Sequence, residues 1–285
     1  MFTENIFWFD VIDSTNSEAY RNLETAAHGS VWAARFQSAG RGQKGNKWES
    51  AAGENLMCSI LLRPLFLPAE RQFLIAQATA LAVCDLLSGW GVKALVKWPN
   101  DVYIGEKKVQ GMLIEHFLSG SQLSASIVGV GINLNQERFA SDAPNPTSVL
   151  LESGVRHEPE AALQELLDLL QERYNALERG EWVPTDAEYK TKLYRLNQWA
   201  DYIRCDTDTT FRGKIVGVDA FGCLVVETKE RESDERESDE RGSDERDSDE
   251  RGNDERESDE RETEEIAIEE RETEVFSFKE IRYVR

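Results

Sequence analysis

The chain has 285 residues, a formal net charge of −21, four cysteines and three histidines. A chain of this length with ordinary apolar content can bury one large core and a smaller second one. The cysteines are scattered without a C-x-x-C pair, and together with the histidines they lack metal-ligand spacing, so reduced thiols are expected. The N-terminus lacks the pattern of a signal peptide, and no stretch is apolar for long enough to span a bilayer. We therefore expect a cytoplasmic protein with no membrane partner.

The first strand is predicted at residues 6–12. A helix should follow it, because Thr15 and Glu18 are spaced as a capping box. VWAARFQS (31–38) and NLMCSILL (55–62) predict two further strands, and apolar residues recur at helical spacing over residues 68–90.

Three more strands are predicted in the middle of the chain, in ALVKW (94–98), KKVQGMLIEHF (107–117) and LSASIVGVGINL (123–134). The turn LSGSQ should join the last two. A second helix over about residues 158–179 would present one apolar face, formed by Leu163, Leu166, Leu167, Leu170, Tyr174 and Leu177. This order predicts an α+β fold with a mixed or antiparallel sheet backed by helices.

From about residue 199 the pattern changes to short strands: WADYIRC, TTFRGKIVGV, FGCLVVET and VFSFKEIRYVR. They predict a small C-terminal β-barrel in which VDAFG (218–222) forms a turn. The predicted domains are therefore residues 1–196 and 197–285.

An acidic segment interrupts this barrel at a hairpin tip. Residues 229–274 contain 24 acidic and nine basic residues, a net charge of −15, whereas the rest of the chain carries −6. The five-residue repeat, in units such as SDERE and SDERG, has no apolar face, and glycines interrupt it. We expect a mostly disordered charged loop.

Residues 40–45, GRGQKG, match the dinucleotide-binding pattern G-x-G-x-x-G. That pattern requires a helix that starts at the third glycine and an acidic residue about 20 positions later. No amphipathic helix starts at Gly45, and the acidic residue is missing. The glycines are therefore expected to serve a different anion.

Four stretches carry a more specific pattern: DSTNSEA (13–19), FQSAGRGQKGNKW (36–48), VKWPNDVYIGEKKVQGMLIE (96–115) and IVGVGINL (127–134). The order STN, Q-x-x-GRG, KWPND, K-x-x-G and G-x-GIN resembles bacterial biotin–protein ligases over about residues 6–150. The terminal barrel resembles this family more loosely. The family resemblance as a whole implies a catalytic domain related to lipoate ligases and class II tRNA synthetases, followed by a small β-barrel.

The resemblance also implies the reaction and its participants. Biotin and ATP, the latter with Mg²⁺, give biotinyl-adenylate and pyrophosphate, and biotin then passes to one lysine of a biotin carboxyl carrier protein. A homodimer is left open. No helix-turn-helix domain is found before the catalytic pattern and the chain is acidic, so no nucleic-acid partner is expected.

The same resemblance assigns roles to individual residues. Arg41 and Lys108 would be the catalytic cations, which neutralise the biotin carboxylate and the α-phosphate as they approach each other. The residues implied for biotin are Ser14, Thr15, Asn16, Gln37, Gly40, Arg41, Gly42, Gln43, Lys108, Gly111, Gly129 and Gly131. Those implied for ATP or the adenylate are Arg41, Gln43, Asn46, Trp48, Asn100, Lys108 and Asn133, with Asp101 as a ligand for Mg²⁺.

Several of these residues also have purely structural interpretations. Ser14 and Thr15 are expected to cap the first helix as well as bind, Gly129 and Gly131 are also consistent with a bulge, and Asp101 with a turn. The chain departs from many relatives at Gln43 and Asn46, where those relatives carry Arg. Because neutral side chains form weaker hydrogen bonds to an anion, weaker retention of biotinyl-adenylate is expected.

Three other functions remain open at this stage. A lipoate or octanoate ligase of the same superfamily would use similar motifs. A non-catalytic biotin sensor would bind biotin without forming the adenylate. An interaction protein organised around the acidic segment would lose its function when that segment is deleted.

Overall fold

The computed structural model describes residues 2–140, 145–229, 271–277 and 279–284. The helices are α1 (Thr15–Arg21), α2 (Phe73–Gly89), α3 (Val149–Ser153), α4 (Pro159–Glu178) and α5 (Trp182–Thr191), with 3₁₀ turns at Gln43–Gly45 and Ala69–Arg71. The first seven strands are β1 (Ile6–Phe9), β2 (Val31–Ala34), β3 (Leu56–Leu62), β4 (Leu95–Lys97), β5 (Asp101–Ile104), β6 (Lys107–Ser119) and β7 (Gln122–Ile132). The last five are β8 (Trp199–Arg204), β9 (Thr210–Val218), β10 (Leu224–Lys229), β11 (Arg271–Phe276) and β12 (Ile281–Tyr283).

The larger sheet has seven strands in the order β1-β2-β3-β7-β6-β5-β4. Only β1 and β2 run parallel, and the other neighbours are antiparallel. The inner strand β3 is buried at every position, as expected for a strand covered on both faces. The predicted mixed sheet backed by helices is confirmed.

One face of this sheet is covered by α2 and α4, and α5 packs against both of these helices. The apolar stripe predicted for α4 is buried along its whole length, so that prediction is confirmed. Helix α2 is apolar on nearly all sides because it packs between the sheet and the other two helices. Contrary to expectation, Ala69–Gly89 is apolar and long enough to span a membrane. However, 67% of its apolar stretch is buried inside the protein.

The opposite face is only partly covered. Helix α1 packs on β2, β3 and β7 around a small apolar cluster formed by Ala19, Trp32, Leu61, Ala125 and Ile127. Helix α1 has only seven residues, and the residues at its start face a cavity together with residues of β6 and β7. This part of the sheet carries the candidate site.

The smaller sheet is antiparallel, in the order β11-β10-β9-β8-β12. The predicted turn at residues 218–222 is confirmed, because the Asp219 carboxylate accepts hydrogen bonds from the backbone N–H groups of Phe221 and Cys223 at 2.9 and 2.8 Å. Among the described residues, the end strands β11 and β12 are not paired with each other. The predicted C-terminal unit is therefore confirmed as a small antiparallel β domain.

The two sheets share one apolar core. Tyr202, Ile215 and Leu224 from the smaller sheet belong to the same buried cluster as the residues of α2. The indole N–H of Trp98 also donates to the Gly222 carbonyl at 2.8 Å. The division into residues 1–196 and 197–285 therefore stays a proposal about chain organisation.

Several predicted boundaries differ from the structure. Strand β1 ends at Phe9, and Ile12 forms only an isolated bridge to Gln37. The short elements β5, α3 and α5 were not predicted. Strand β11 begins within the segment predicted to be an acidic loop, and residues 230–270 lie outside the described residues, so their predicted disorder stays a prediction.

The predicted capping box at the start of α1 is wrong. Ser14 occupies the N-cap position without a side-chain capping bond, and Thr15 is already helical. Both the backbone N–H and the hydroxyl of Thr15 donate to Gln37 Oε1, at 2.7 and 3.2 Å. The Glu18 carboxylate instead accepts hydrogen bonds from Arg21 and Asn22.

Candidate functional site

A cavity opens on the exposed part of the larger sheet, in front of the N-terminus of α1. Most of the residues assigned by resemblance line it: Ser14, Thr15, Asn16, Gln37, Arg41, Gly42, Gln43, Trp48, Asn100, Lys108, Gly111, Gly129 and Gly131. Cys58, Met112, Leu113 and Val130 complete the lining. Residues far apart in the sequence therefore converge on one cavity.

Three glycines form the floor of this cavity because other side chains approach the sheet closely. A Cβ atom on Gly129 would lie 2.0 Å from Asn16 Oδ1, and one on Gly131 would lie 2.6 Å from the Trp48 indole. Gly111 pairs with Gly131 across β6 and β7 and also faces Trp48. A side chain at any of these positions would displace the groups that line the cavity.

The polar end of the cavity is a network of uncharged side chains. Gln37 accepts from Thr15, and Ser59 Oγ lies 2.6 Å from Asn16 Oδ1 and 2.8 Å from Thr15 Oγ1. The Asn16 amide also donates to the Leu113 carbonyl at 3.2 Å. Thr15, Asn16 and Ser59 are buried and Gln37 is half-buried, and because these groups are mutually bonded they hold fixed orientations.

Arg41 approaches the cavity from the glycine loop. Its guanidinium forms two hydrogen bonds with the Glu115 carboxylate, from Nη2 to Oε1 at 2.7 Å and from Nη1 to Oε2 at 3.2 Å. The loop bends back on itself as Gly42 N–H donates to the Asn46 carbonyl and Trp48 N–H donates to the Gly40 carbonyl. A Cβ atom on Gly40 would lie 2.5 Å from the Trp48 carbonyl oxygen, so this close turn requires glycine.

Lys108 reaches the same cavity because of an irregularity between β5 and β6. Lys108 pairs with Tyr103 and Gln110 pairs with Val102, so β6 contains one extra residue at Val109. Residues three apart normally point to opposite faces of a strand, but a β-bulge changes this alternation. The K-x-x-G spacing thereby brings Lys108 over Gly111, where a Cβ atom would lie 3.2 Å from Lys108 Nζ.

The Lys108 ammonium is paired with the Asp101 carboxylate, with Nζ 2.6 Å from Oδ1. Among the described residues, no group of three or more His, Cys, Asp or Glu side chains that could hold a metal ion is found. A magnesium ion held by protein ligands alone at Asp101 therefore does not fit these residues.

Trp48 and Cys58 give the cavity its apolar portion. The buried indole N–H of Trp48 has no hydrogen-bond partner among the described residues. The Lys108 ammonium lies 5.9 Å from the centre of the indole ring. Burial raises the pKa of the Cys58 thiol to about 12, so this cysteine is a neutral wall residue at pH 7 and no nucleophile.

Four assigned residues lie outside this cavity. Gly40 and Asn46 line a neighbouring cavity on the outer side of the glycine loop. Asp101 lines a cavity near the smaller sheet. Asn133 is buried, and its amide donates to the Thr147 carbonyl at 2.9 Å. This hydrogen bond stabilises the segment after β7.

Sequence reasoning missed Ser59 and Glu115, although both belong to the network around the cavity. Ser59 is opposite Gly129 in the β3–β7 pairing. Glu115 follows Leu113 and Gly111 at alternate positions of β6, on the face that carries the site. The period-two pattern of β6 was the signal that identifies Glu115.

Comparisons with known proteins agree with this geometry. Residues 8–133 match the biotin/lipoate A/B protein ligase family. The bifunctional ligase/repressor BirA of Bacillus spizizenii is 29% identical over 234 residues, which cover 80% of this chain and 70% of that protein. The biotin–[acetyl-CoA-carboxylase] ligase of Paracoccus denitrificans is 38% identical over 165 residues, which cover 55% of this chain and 66% of that protein.

The fold gives the same result. The structure of biotin protein ligase from Aquifex aeolicus in complex with biotin and ATP matches with a TM-score of 0.66 at 28% identity, covering 78% of this chain and 91% of that chain. The motifs that suggested the family all lie within its matched region or directly at its end. The region of residues 8–133 belongs to the biotin/lipoate A/B protein ligase family.

Proposed function

We propose that this protein is a biotin–protein ligase that activates biotin with ATP and transfers it to a lysine of a carrier protein. The main observation that supports this proposal is that Arg41 and Lys108 line one cavity whose other end is uncharged and polar. A small acid with a polar, neutral head group fits such a cavity. The relatives named as biotin ligases and the neighbour in complex with biotin and ATP support this identification.

In the first proposed step, a carboxylate oxygen of biotin attacks the α-phosphorus of ATP. The bond from this phosphorus to the bridging oxygen breaks, and pyrophosphate leaves with the electron pair. Two anions must approach each other, so the barrier falls when cations stand beside both of them. Arg41 offers a planar fork suited to carboxylate or phosphate oxygens, whereas Lys108 offers a compact charge.

Both cations are already paired with carboxylates, Arg41 with Glu115 and Lys108 with Asp101. Ion pairs that are partly exposed contribute little net stability, on the order of 1 kcal/mol or less. A ligand anion can therefore compete for these cations at small cost. The ureido ring of biotin would meet Thr15, Asn16 and Gln37, whose amide and hydroxyl groups supply both donors and acceptors.

In the second proposed step, the amine of a carrier lysine attacks the acyl carbon of biotinyl-adenylate. The bond between this carbon and the phosphate oxygen breaks, AMP leaves, and the amine loses a proton to water as the amide forms. The adenylate must be kept from water until the carrier arrives. Trp48 lies over Gly111 and Gly131, and its buried N–H can donate to the bound intermediate.

The proposal also includes the carrier protein, the cellular compartment and the source of magnesium. The carrier is a biotin carboxyl carrier protein, the enzyme works in the cytoplasm, and it binds neither nucleic acid nor membrane. Magnesium would arrive with the ATP phosphates, since these carry more oxygen ligands than the protein offers at Asp101.

The test is biotin-dependent exchange of labelled pyrophosphate into ATP, followed by transfer of biotin to a carrier domain. Lys108→Ala should lower the exchange rate by about 10²–10³, the usual cost of removing one preorganised donor. Lys107→Ala is the matched control, because Lys107 pairs with Glu152 at 3.0 Å outside the cavity.

Three outcomes would overturn the proposal. Exchange that depends on lipoate or octanoate instead of biotin would identify the related ligase. Biotin binding without exchange would identify a sensor. Equal exchange rates for the Lys108 and Lys107 variants would remove Lys108 from the chemistry.

A further inference from the structure

Glu115 contacts two residues of the cavity lining without lining the cavity itself. Its Oε1 accepts from Arg41, whereas its Oε2 accepts from both Arg41, at 3.2 Å, and Asn16, at 2.9 Å. Arg41 and Asn16 both line the cavity. One carboxylate therefore joins the cationic glycine loop to the polar end of the site.

These contacts link segments that are distant in the sequence. Glu115 is on β6, 74 positions from Arg41 and 99 positions from Asn16. Asn16 is further held by Ser59 on β3, which also contacts Thr15. The chain of contacts therefore runs from Arg41 through Glu115 and Asn16 to Ser59.

We propose that Glu115 is a positioning residue of the site, which orients the Arg41 guanidinium and the Asn16 amide toward a common ligand. This inference rests on the proposed function, and it adds the residue that sets the angle between the carboxylate-binding and ring-binding groups. A bidentate pair fixes the plane of a guanidinium, whereas a single hydrogen bond leaves it free to rotate. Because reacting groups must be aligned closely, a misdirected Arg41 would slow adenylate formation.

The variant Glu115→Gln breaks the bidentate contact with Arg41 and keeps the contact with Asn16. An amide oxygen in place of Oε2 can still accept from Asn16 and from Arg41 Nη1, but an amide nitrogen in place of Oε1 is a donor and cannot accept from Arg41 Nη2. We expect adenylate formation to slow about tenfold, a value within the range for coupled neighbouring residues. Biotin affinity, measured by calorimetry, should change less than about twofold because Asn16 remains bonded. Glu115→Ala removes both contacts and should weaken biotin binding as well.

A merely structural role for Glu115 is distinguished by repeating the measurement in the Arg41→Gln background. If Glu115 acts through Arg41, Glu115→Gln should then have an effect of less than about twofold on single-turnover adenylate formation. An equal tenfold loss in both backgrounds would overturn the inference. Glu181→Gln is the control, because Glu181 pairs with Arg179 at 2.7 Å and neither residue lines the cavity.

A second readout does not depend on catalysis. Rotation of the Arg41 guanidinium, followed by nuclear magnetic resonance of its nitrogen atoms, should be slow in the native protein and faster in Glu115→Gln. The Glu181→Gln protein should match the native one. Unchanged rotation in Glu115→Gln would overturn the inference even if the protein proved to be no biotin ligase, whereas absent biotin-dependent exchange in the native protein would overturn only the proposed function.

Discussion

At the scale of single residues, Gln43 lies at the meeting point of three cavities. It lines the site with Arg41 and Lys108, and it also lines the two cavities between this site and the smaller sheet. A bound adenylate would therefore pass close to its side chain. Asn46, at the other end of the 3₁₀ turn, lines the cavity on the outer side of the loop.

Gln43 and Asn46, the two neutral positions of the glycine loop, should therefore respond differently to replacement by arginine. Gln43→Arg should slow release of biotinyl-adenylate by roughly tenfold, because charge assistance about doubles the strength of a hydrogen bond to an anion. Asn46→Arg should change it less than about twofold, since Asn46 does not line the cavity that contains Arg41 and Lys108. Release is measured by chasing labelled adenylate with an excess of unlabelled biotin and ATP. Faster release from Gln43→Arg, or equal slowing in both variants, would contradict this account.

The arginine–glutamate contact shows what sequence reasoning at this scale could not provide. The motifs identified Arg41 and Lys108, because their flanking glycines and spacing are unusual. Glu115 belongs to no such pattern, and nothing local in the sequence pairs it with a residue 74 positions away. The period-two pattern of β6 places Glu115 on the face of the sheet that carries the site, but only the three-dimensional structure identifies Arg41 as its partner.

At the scale of elements, the glycines of β7 are explained by the close approach of other side chains. Gly129→Ala should lower the free energy of unfolding by about 1–3 kcal/mol, the usual cost of overpacking. Biotin affinity should fall at least about tenfold, because Asn16 must move when a methyl group is built 2.0 Å from its oxygen.

The matched control is Gly217→Ala in β9, where the new Cβ atom would lie 3.7 Å from Lys190, an ordinary contact. Its unfolding free energy should stay within about 0.5 kcal/mol of the native value. Denaturant titration and calorimetry measure both quantities. If the Gly129→Ala variant bound biotin as tightly as the native protein, Asn16 would take no part in binding.

The elements that could be predicted are those whose periodicity is long. Helix α4 repeats its apolar residues over 20 positions, and β3 and β7 are long strands rich in apolar residues, so the type and the place of each of these elements were predicted correctly. Strand β5 has four residues and α3 has five, too few for either period to emerge. The bulge between β5 and β6 was also unpredictable, because it depends on the pairing of two strands.

At the scale of the whole molecule, the acidic segment is inserted between two strands that pair directly with each other. Lys229 at the end of β10 is directly opposite Arg271 at the start of β11, so the two strands already pair across the point where the segment is inserted. Neither strand contributes a residue to the candidate site.

Replacing residues 230–270 with the dipeptide Asn-Gly should therefore leave the fold and the chemistry in place, because this dipeptide favours a two-residue hairpin turn. Biotin transfer to a carrier domain should remain within about twofold of the native rate, as expected for a change outside the site. The melting temperature of the shortened protein serves as the control for folding. A folded, shortened protein without transfer activity would support the interaction-protein alternative instead.

The central claim is that Arg41 and Lys108, from distant parts of the chain, contact one bound ligand. This claim is tested most directly by a crystal structure of the protein with a non-hydrolysable analogue of biotinyl-adenylate. We predict that Arg41 and Lys108 both lie within about 3 Å of oxygen atoms at the acyl-phosphate linkage. An analogue that contacts only one of these cations, or that occupies a different cavity, would contradict the account.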